Sequence, residues 1–367
     1  VAQFNEIKPT VVAVMNESFT DLSCFEQLQA AGYFGPTFYN SLPDTLVRGT
    51  MLASVAGGGT ANSEFEFLTG ATTAFVGVGK IPYQLYQMSD VDSLAKDLKE
   101  LGYTATAMHP QNPVNYHRDK IYQQLGFGDF LSIDDFEGAS YYHAGVCDYV
   151  TYDKILELLR TNEAPQFIFD VTMQNHGGYE VGSVPAEELT NYCVEGASEG
   201  TNAMLNTYLT CINASDRDLE YFINELRNIG RPVVLVFFGD HQPSIAAALN
   251  DELYPQEDTA SHAFRIHQST YFVWANYEIA GNTELNVYDT VGANEIAAIA
   301  LNKIGAPLTD YQKALLATRS DVPTINVAGY LGADGLRYDL ESEDSPYTST
   351  IDKLRRVQYL EFATKVQ

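Results

Sequence analysis

The sequence predicts an α/β fold: a mostly parallel central sheet with helices on both faces, followed by a small C-terminal antiparallel sheet subdomain. Three observations predict it. Short β-branched runs alternate with helix-like stretches, four of those runs end in polar residues, and the pattern changes after about residue 305. The division expected is a core over residues 1–305 and a small subdomain over 306–367 packed on it. A chain of 367 residues with 45% hydrophobic content can bury a core of that size.

The first strand-like run is TVVAVM, followed at once by Asn16 and Glu17. The second is YTATAM, followed by His109; the third is QFIFDVTM, followed by Gln174, Asn175 and His176; the fourth is PVVLVFFG, followed by Asp240 and His241. Between them DVDSLAKDLKELG, YDKILELLRT and DRDLEYFINELRNIG carry helical spacing and ordinary helix stops. Alternating strands and helices imply parallel neighbours, and in parallel sheets ligands bind beyond the carboxyl ends of the strands. Singly, each polar strand end reads more readily as a cap or turn residue; four together point to a shared site. The polar stretch YEVGSVPAEELTNYCVEGASEGTNAM reads as a long surface excursion, and VPTINVAGYLGADGLRYDL as short strands and turns.

Charge narrows the partners. Lys and Arg number 21 against 48 Asp and Glu, a net charge of −27, which argues against nucleic acid and against broad contact with an anionic membrane. An anionic substrate must then be met at one local site, by a metal or a few Arg and His residues. No run approaches the roughly 18 to 20 apolar residues that cross a bilayer. The start VAQFNEIKPT carries neither Met nor a signal-peptide pattern, as expected of a fragment parted from its targeting segment. Cys24, Cys147, Cys193 and Cys211 have no zinc-finger spacing, and of the pairs a Cys193–Cys211 bridge is conceivable without further support. The sequons at Asn16 and Asn213 are taken as chance matches.

In VAGGGTANSEFEFLTG, residues 55–70, three glycines precede Thr60 and what reads as a helix start. A tight turn needing positive φ would explain the glycines. So would a loop presenting backbone amides and a hydroxyl to an anion.

Five motifs in order, VMNESFTDL, GGGTANSEFEFLTG, MHPQNPVNYHRDKIYQQLGFGDF, MQNHGGY and FFGDHQP, resemble the extracellular catalytic domain of lipoteichoic acid synthase-type phosphoglycerol transferases, in the sulfatase-like branch of the alkaline phosphatase superfamily. The resemblance covers roughly residues 10–300, so the core would be a sulfatase-like catalytic domain. It implies one divalent metal, Mn²⁺ first, held by Glu17, Thr60, Asp240 and His241. Three oxygen ligands and one imidazole independently suit Mn²⁺ or Mg²⁺, with Zn²⁺ compatible. Thr60 would be the nucleophile, activated by coordination, and His176 would protonate the leaving oxygen. His109, Gln111, Tyr116, Arg118 and His176 would bind substrate, Arg118 by clamping phosphate oxygens. Two departures bear on the head group: Tyr116 stands where the synthases carry Trp, and Gln111 where they carry an acidic residue. His117 and Asp119 are read as structural neighbours, His262 and His267 either as residues near the mouth of the site or as hydrogen-bonded structural histidines, and Trp274 as core.

The resemblance implies transfer of phosphoglycerol from an anionic glycerophospholipid of the phosphatidylglycerol type to a glycerol-phosphate or glycan acceptor, through a phospho-threonine. It implies an ectodomain on the outer face of the bacterial cell membrane, reaching lipid through a tether absent from this chain. Phosphoethanolamine transfer or phosphodiester hydrolysis on the same scaffold is the rival chemistry, and a silent domain binding glycerol-phosphate polymer the rival of another class. A true sulfatase is disfavoured because ANSE follows Thr60, where formylglycine formation needs Cys or Ser followed by x-Pro-x-Arg.

Overall fold

The computed structural model describes residues 1–367. Nine strands form one sheet: β1 (Thr10–Asn16), β2 (Thr45–Leu52), β3 (Thr104–Met108), β4 (Asp129–Leu131), β5 (Gln166–Val171), β6 (Val233–Gly239), β7 (Gln268–Ala275), β8 (Val287–Tyr288) and β9 (Val291–Gly292). Their order is β8-β2-β7-β6-β1-β5-β3-β4, with β9 also on β2. Every neighbouring pair is parallel except those of β7, which runs against β2 and β6.

Four helices matter for the site: α1 (Thr60–Thr69), α2 (Arg118–Gln124), α3 (Asp148–Thr161) and α4 (Glu199–Arg227). β1 is apolar at consecutive positions because both of its faces are covered. Val11, Ala13 and Met15 join a core that includes Phe65, Phe67 and Leu68 of α1. Val12 and Val14 join the opposite core, with Tyr152, Ile155 and Leu156 of α3 and Leu205, Leu209 and Phe222 of α4. Stacking of Tyr152 on Phe222, centroids 4.4 Å apart, locks α3 to α4.

Parallel register levels the carboxyl ends. Met15 pairs with Val171, Asn16 with Gly239, and Met108 with Asp170, so the residues after β1, β3, β5 and β6 emerge along one edge. β2 lies parallel to them two strands from β6, and its carboxyl end delivers the glycine loop and Thr60 to the same edge.

Two elements differ from the sequence reading, and the antiparallel sheet expected near the C-terminus is present with helices added to it. β2 is hidden in the sequence by Arg48 and Gly49, but the Arg48 guanidinium is spent on the carbonyls of Leu42 and Tyr39. The polar excursion ends early: its last residues, from Glu199, open the 29-residue α4. Asn202 and Asn206 of that helix turn inward to bond the backbone of Val194 and Tyr192, so its buried face carries amides where helical periodicity calls for aliphatics. Beyond residue 305 a three-stranded antiparallel sheet, Thr324–Asn326, Gly329–Leu331 and Arg337–Tyr338, is joined by helices Asp310–Thr318 and Thr348–Gln358. Gln358 exchanges two hydrogen bonds with the backbone of Thr72, and Phe362 packs edge-on against Phe65 of α1, tying this tail to the helix that begins at Thr60. All four cysteines are unpaired, Trp274 is fully buried, and no helix is long and apolar enough to cross a membrane.

Candidate active site

A polar cleft of about 450 Å³ opens at the carboxyl edge of the sheet. Glu17, Thr60, His109, Gln111, Tyr116, Arg118, His176 and His241 all line it, and Asp240 lies directly beneath, with no exposed surface.

One corner gathers Glu17, Asp240 and His241, whose ligating atoms lie within 4.8 Å of one another. The Thr60 hydroxyl donates to Asp240 Oδ2 at 2.8 Å and sits 3.5 Å from His241 Nε2. The corner is held from several sides. Ser18 Oγ donates to Glu17 Oε1 at 2.7 Å, and the backbone N–H groups of Ser18 and His241 donate to Asp240 Oδ1. Ser63 on α1 donates to the Asp240 carbonyl, and Gly57 N–H to the Gln242 carbonyl, fastening the glycine loop to the Asp-His turn.

His241 Nδ1 faces the Gln242 carbonyl at 2.7 Å and must carry the proton there, so Nε2 is the nitrogen offered to the carboxylates. Burial and the Asp240 charge push Glu17 up to about 7. Burial works to raise Asp240 too, but the His241 charge and the donors around the carboxylate hold it below the usual range. Burial opposes protonation of His241, and Asp240 nevertheless lifts it to about 9. A corner with two buried carboxylates and one imidazole is short of positive charge. Two carboxylates, a hydroxyl and an imidazole Nε2 are the donor set of a fairly hard divalent cation, so the residues fit one, with Mn²⁺ or Mg²⁺ suited and Zn²⁺ compatible.

The glycines divide their work. Gly59 has φ 87° as the residue before α1, and a Cβ on it would lie 2.8 Å from Val55 Cγ1, so the backbone itself requires glycine. A Cβ on Gly58 would meet nothing within 4 Å, which leaves clearance at the cleft surface. No side chain caps α1, so its first amides stay available at Thr60.

The opposite wall comes from the loop after β3. His109 is buried and its Nδ1 donates to the Val171 carbonyl at 2.8 Å. Burial, then the Arg118 charge, hold its pKa well below the usual histidine value, so it is neutral and offers Nε2 as an acceptor. Arg118 is 2% exposed, and Tyr116 lies over its guanidinium at 5.1 Å. His176 is exposed at the rim. His143 donates from Nε2 to the His176 carbonyl at 3.0 Å and stacks on Tyr179, bracing that turn.

Several residues placed at strand ends by sequence do not reach the cleft. Asn16 and Asn175 turn back into a buried network with Asp148 and Ser215, beneath the ends of β1 and β5. His117 points away from the cleft, and neither His262 nor His267, at and just beyond helix Thr259–Ile266, lines it. Sequence reading also missed Ser18, Glu64, Gln84, Asn115 and His143. The spacing of Glu64 four residues after Thr60 is a signal that could have found it, since both then share one face of α1. Strain is a second signal, visible only in the fold. Of the six non-glycine residues with positive φ, Ser18, Tyr116, His117 and His143 all belong to segments that build the cleft.

Comparison with known proteins places this arrangement. Residues 9–298 match the Sulfatase family. A protein of Rhizobium meliloti named for cyclic β-1,2-glucan modification is 29% identical over 276 residues, 73% of this chain and 42% of that protein. The chain therefore spans less than half the length of that curated relative. Among solved structures, the Streptococcus pyogenes phosphoglycerol transferase GacH in complex with sn-glycerol-1-phosphate superposes with TM-score 0.72 at 23% identity, covering 98% of this chain and 88% of that one. The lipoteichoic acid synthase LtaP from Listeria monocytogenes gives 0.71 at 17% identity, covering 98% and 92%.

Proposed function

The chain belongs to the sulfatase family, and from that premise we propose that it is a transferase moving a phosphoglycerol group from a phosphatidylglycerol-type lipid to an acceptor hydroxyl, by way of a phosphoglyceryl-threonine at Thr60. One observation carries the reading: a buried threonine hydroxyl at an uncapped helix start, 2.8 Å from Asp240 in a cation-fitting corner, faces a polar cleft that contains a buried arginine.

Glu17, Thr60, Asp240 and His241 would hold the divalent ion, which would lower the pKa of the Thr60 hydroxyl and offset charge on the phosphoryl group. Asp240 Oδ2 receives the hydroxyl hydrogen bond and orients the oxygen toward the cleft. Thr60 Oγ1, its proton given up to solvent, attacks phosphorus, the bond from phosphorus to the diacylglycerol oxygen breaks, and His176 at the rim supplies the proton that oxygen needs. An acceptor hydroxyl, giving its proton to the now deprotonated His176, then attacks the same phosphorus, and the bond from phosphorus to Thr60 Oγ1 breaks. Arg118 holds the phosphoryl oxygens by the part of its guanidinium left free.

The cleft lining favours glycerol over ethanolamine as the head group. Glu17 is its only acidic residue, so beyond the cation corner the wall has no carboxylate to answer an ammonium charge, while Gln84, Gln111, Asn115, Tyr116 and a neutral His109 can pair with hydroxyls. GacH was solved with sn-glycerol-1-phosphate, in keeping with that choice. A location on the outer face of the cell membrane, with lipid reached through a tether, belongs to the same proposal.

The test is covalent labelling. Incubated with phosphatidylglycerol labelled in its head-group glycerol, the wild-type protein should acquire a phosphoglyceryl adduct on Thr60 by mass spectrometry, and Thr60→Ala should acquire none. An adduct that persists in the variant, or one carrying ethanolamine in preference when both lipids are offered, overturns the reading.

A further inference from the structure

We propose that Glu64 is the positioning residue for Arg118, turning the free edge of its guanidinium toward a phosphate held over Thr60; this rests on the phosphotransfer reading above. Arg118 Nε and Nη2 both donate to Glu64 Oε1, at 2.9 and 2.5 Å, and the pair is buried, 2% and 0% exposed. Glu64 Oε2 accepts from the Tyr122 hydroxyl at 2.7 Å, so both carboxylate oxygens are committed and the carboxylate cannot rotate. Arg118 Nη1 has no protein partner, and Arg118 lines the cleft.

The arrangement is built from two helix turns facing each other. Thr60 and Glu64 are four apart on α1; Arg118 and Tyr122 are four apart on α2. The carboxylate that sets the arginine thus stands one turn from the reacting hydroxyl, on the same helix. A guanidinium has two bidentate edges. Glu64 occupies the edge of Nε and Nη2, leaving Nη1 and the second N–H of Nη2 for phosphoryl oxygens. Without that carboxylate the buried cation is free to turn toward Glu17, the other acid that its charge reaches. An arginine spent there would no longer meet the phosphate.

The experiment is a double-variant cycle on the 367-residue chain loaded with Mn²⁺, using phosphatidylglycerol in detergent micelles as donor. Glu64→Gln should lower kcat by about 10- to 100-fold with KM changed less than about 3-fold, at unchanged metal content. In an Arg118→Gln background it should cost less than about 2-fold further, because the two residues act as one unit. Losses that multiply in the double variant overturn the positioning role. An Arg118→Gln variant as fast as wild type instead overturns the phosphotransfer reading, so the two failures are distinct. If Glu64→Gln does not fold, Tyr122→Phe, which releases only Oε2, carries the same cycle: a milder kcat loss that vanishes beside Arg118→Gln supports the role, and an undiminished loss refutes it.

Discussion

The two sides of the cleft are built differently. Glu17, Asp240 and His241 leave β1 and β6 within two residues of the last strand pair, and are 4%, 0% and 2% exposed. The facing wall, Gln111 to Tyr116, is a partly exposed loop whose last turn runs through left-handed backbone at Tyr116 and His117. Sheet register fixes the first side to within the tolerance of a hydrogen-bonded core. The second can vary in sequence without disturbing the corner where bonds break. On the proposed reading, reaction chemistry and head-group choice are separable, the usual division between a scaffold and its loops.

Metal removal should break the first side most severely. Exhaustive chelation is expected to lower transfer by about 10³-fold or more, with recovery on adding Mn²⁺ and a lower melting temperature in the metal-free protein. Unchanged activity after chelation, verified by elemental analysis, would erase the distinction between the two sides.

A smaller effect is expected at Arg118, the buried residue that opens α2 just after the second side. Arg118→Lys keeps the charge and loses the planar fork, so transfer should fall about 10- to 100-fold while Mn²⁺ content stays at the wild-type value. Loss of metal in this variant would show that the two sides are one structural unit.

The smallest effect lies outside both. Asp97 accepts a hydrogen bond from Gln312 away from the cleft, and burial, with the charges of Asp92 and Glu100 adding, pushes its carboxyl up to about 7. The folded state therefore binds this proton more tightly than the unfolded chain, whose carboxyl titrates near 4. Stability contributed by the protonated group is present below that lower value and is lost as pH rises toward 7. Asp97→Asn should raise the melting temperature by about 2–4 °C at pH 8, with little change at pH 4 and none in transfer activity. Differential scanning calorimetry at the two pH values decides it.

Much of the corner was legible because parallel strands write their ends into sequence. TVVAVM before Asn16 and Glu17, and PVVLVFFG before Asp240 and His241, announce buried strands, and the register then brings their ends together. The same rule overreached at Asn16 and Asn175. Polar residues at a strand end alternate in direction, and these two turn under the sheet edge to Asp148 and Ser215. β2 was illegible because Arg48 interrupts its apolar run, its charge being answered by carbonyls brought near only by folding. α4 was half legible for a similar reason, its first turns using buried asparagines to satisfy a neighbouring loop.

By itself the sequence determined the α/β class, the edge at which the polar groups collect, and the residue types that suit a hard cation beside a hydroxyl. Those follow from local periodicity and from the chemistry of single side chains, which need no partner to be recognised. The tertiary structure alone decided which edge of Arg118 is free, that His109 is a neutral acceptor, and that Gly58 gives clearance where Gly59 gives backbone freedom. Each of these depends on a group distant in sequence, Glu64 for Arg118, Val171 for His109 and Val55 for Gly59, and a hydrogen bond or a clash between distant residues exists only once the chain has closed.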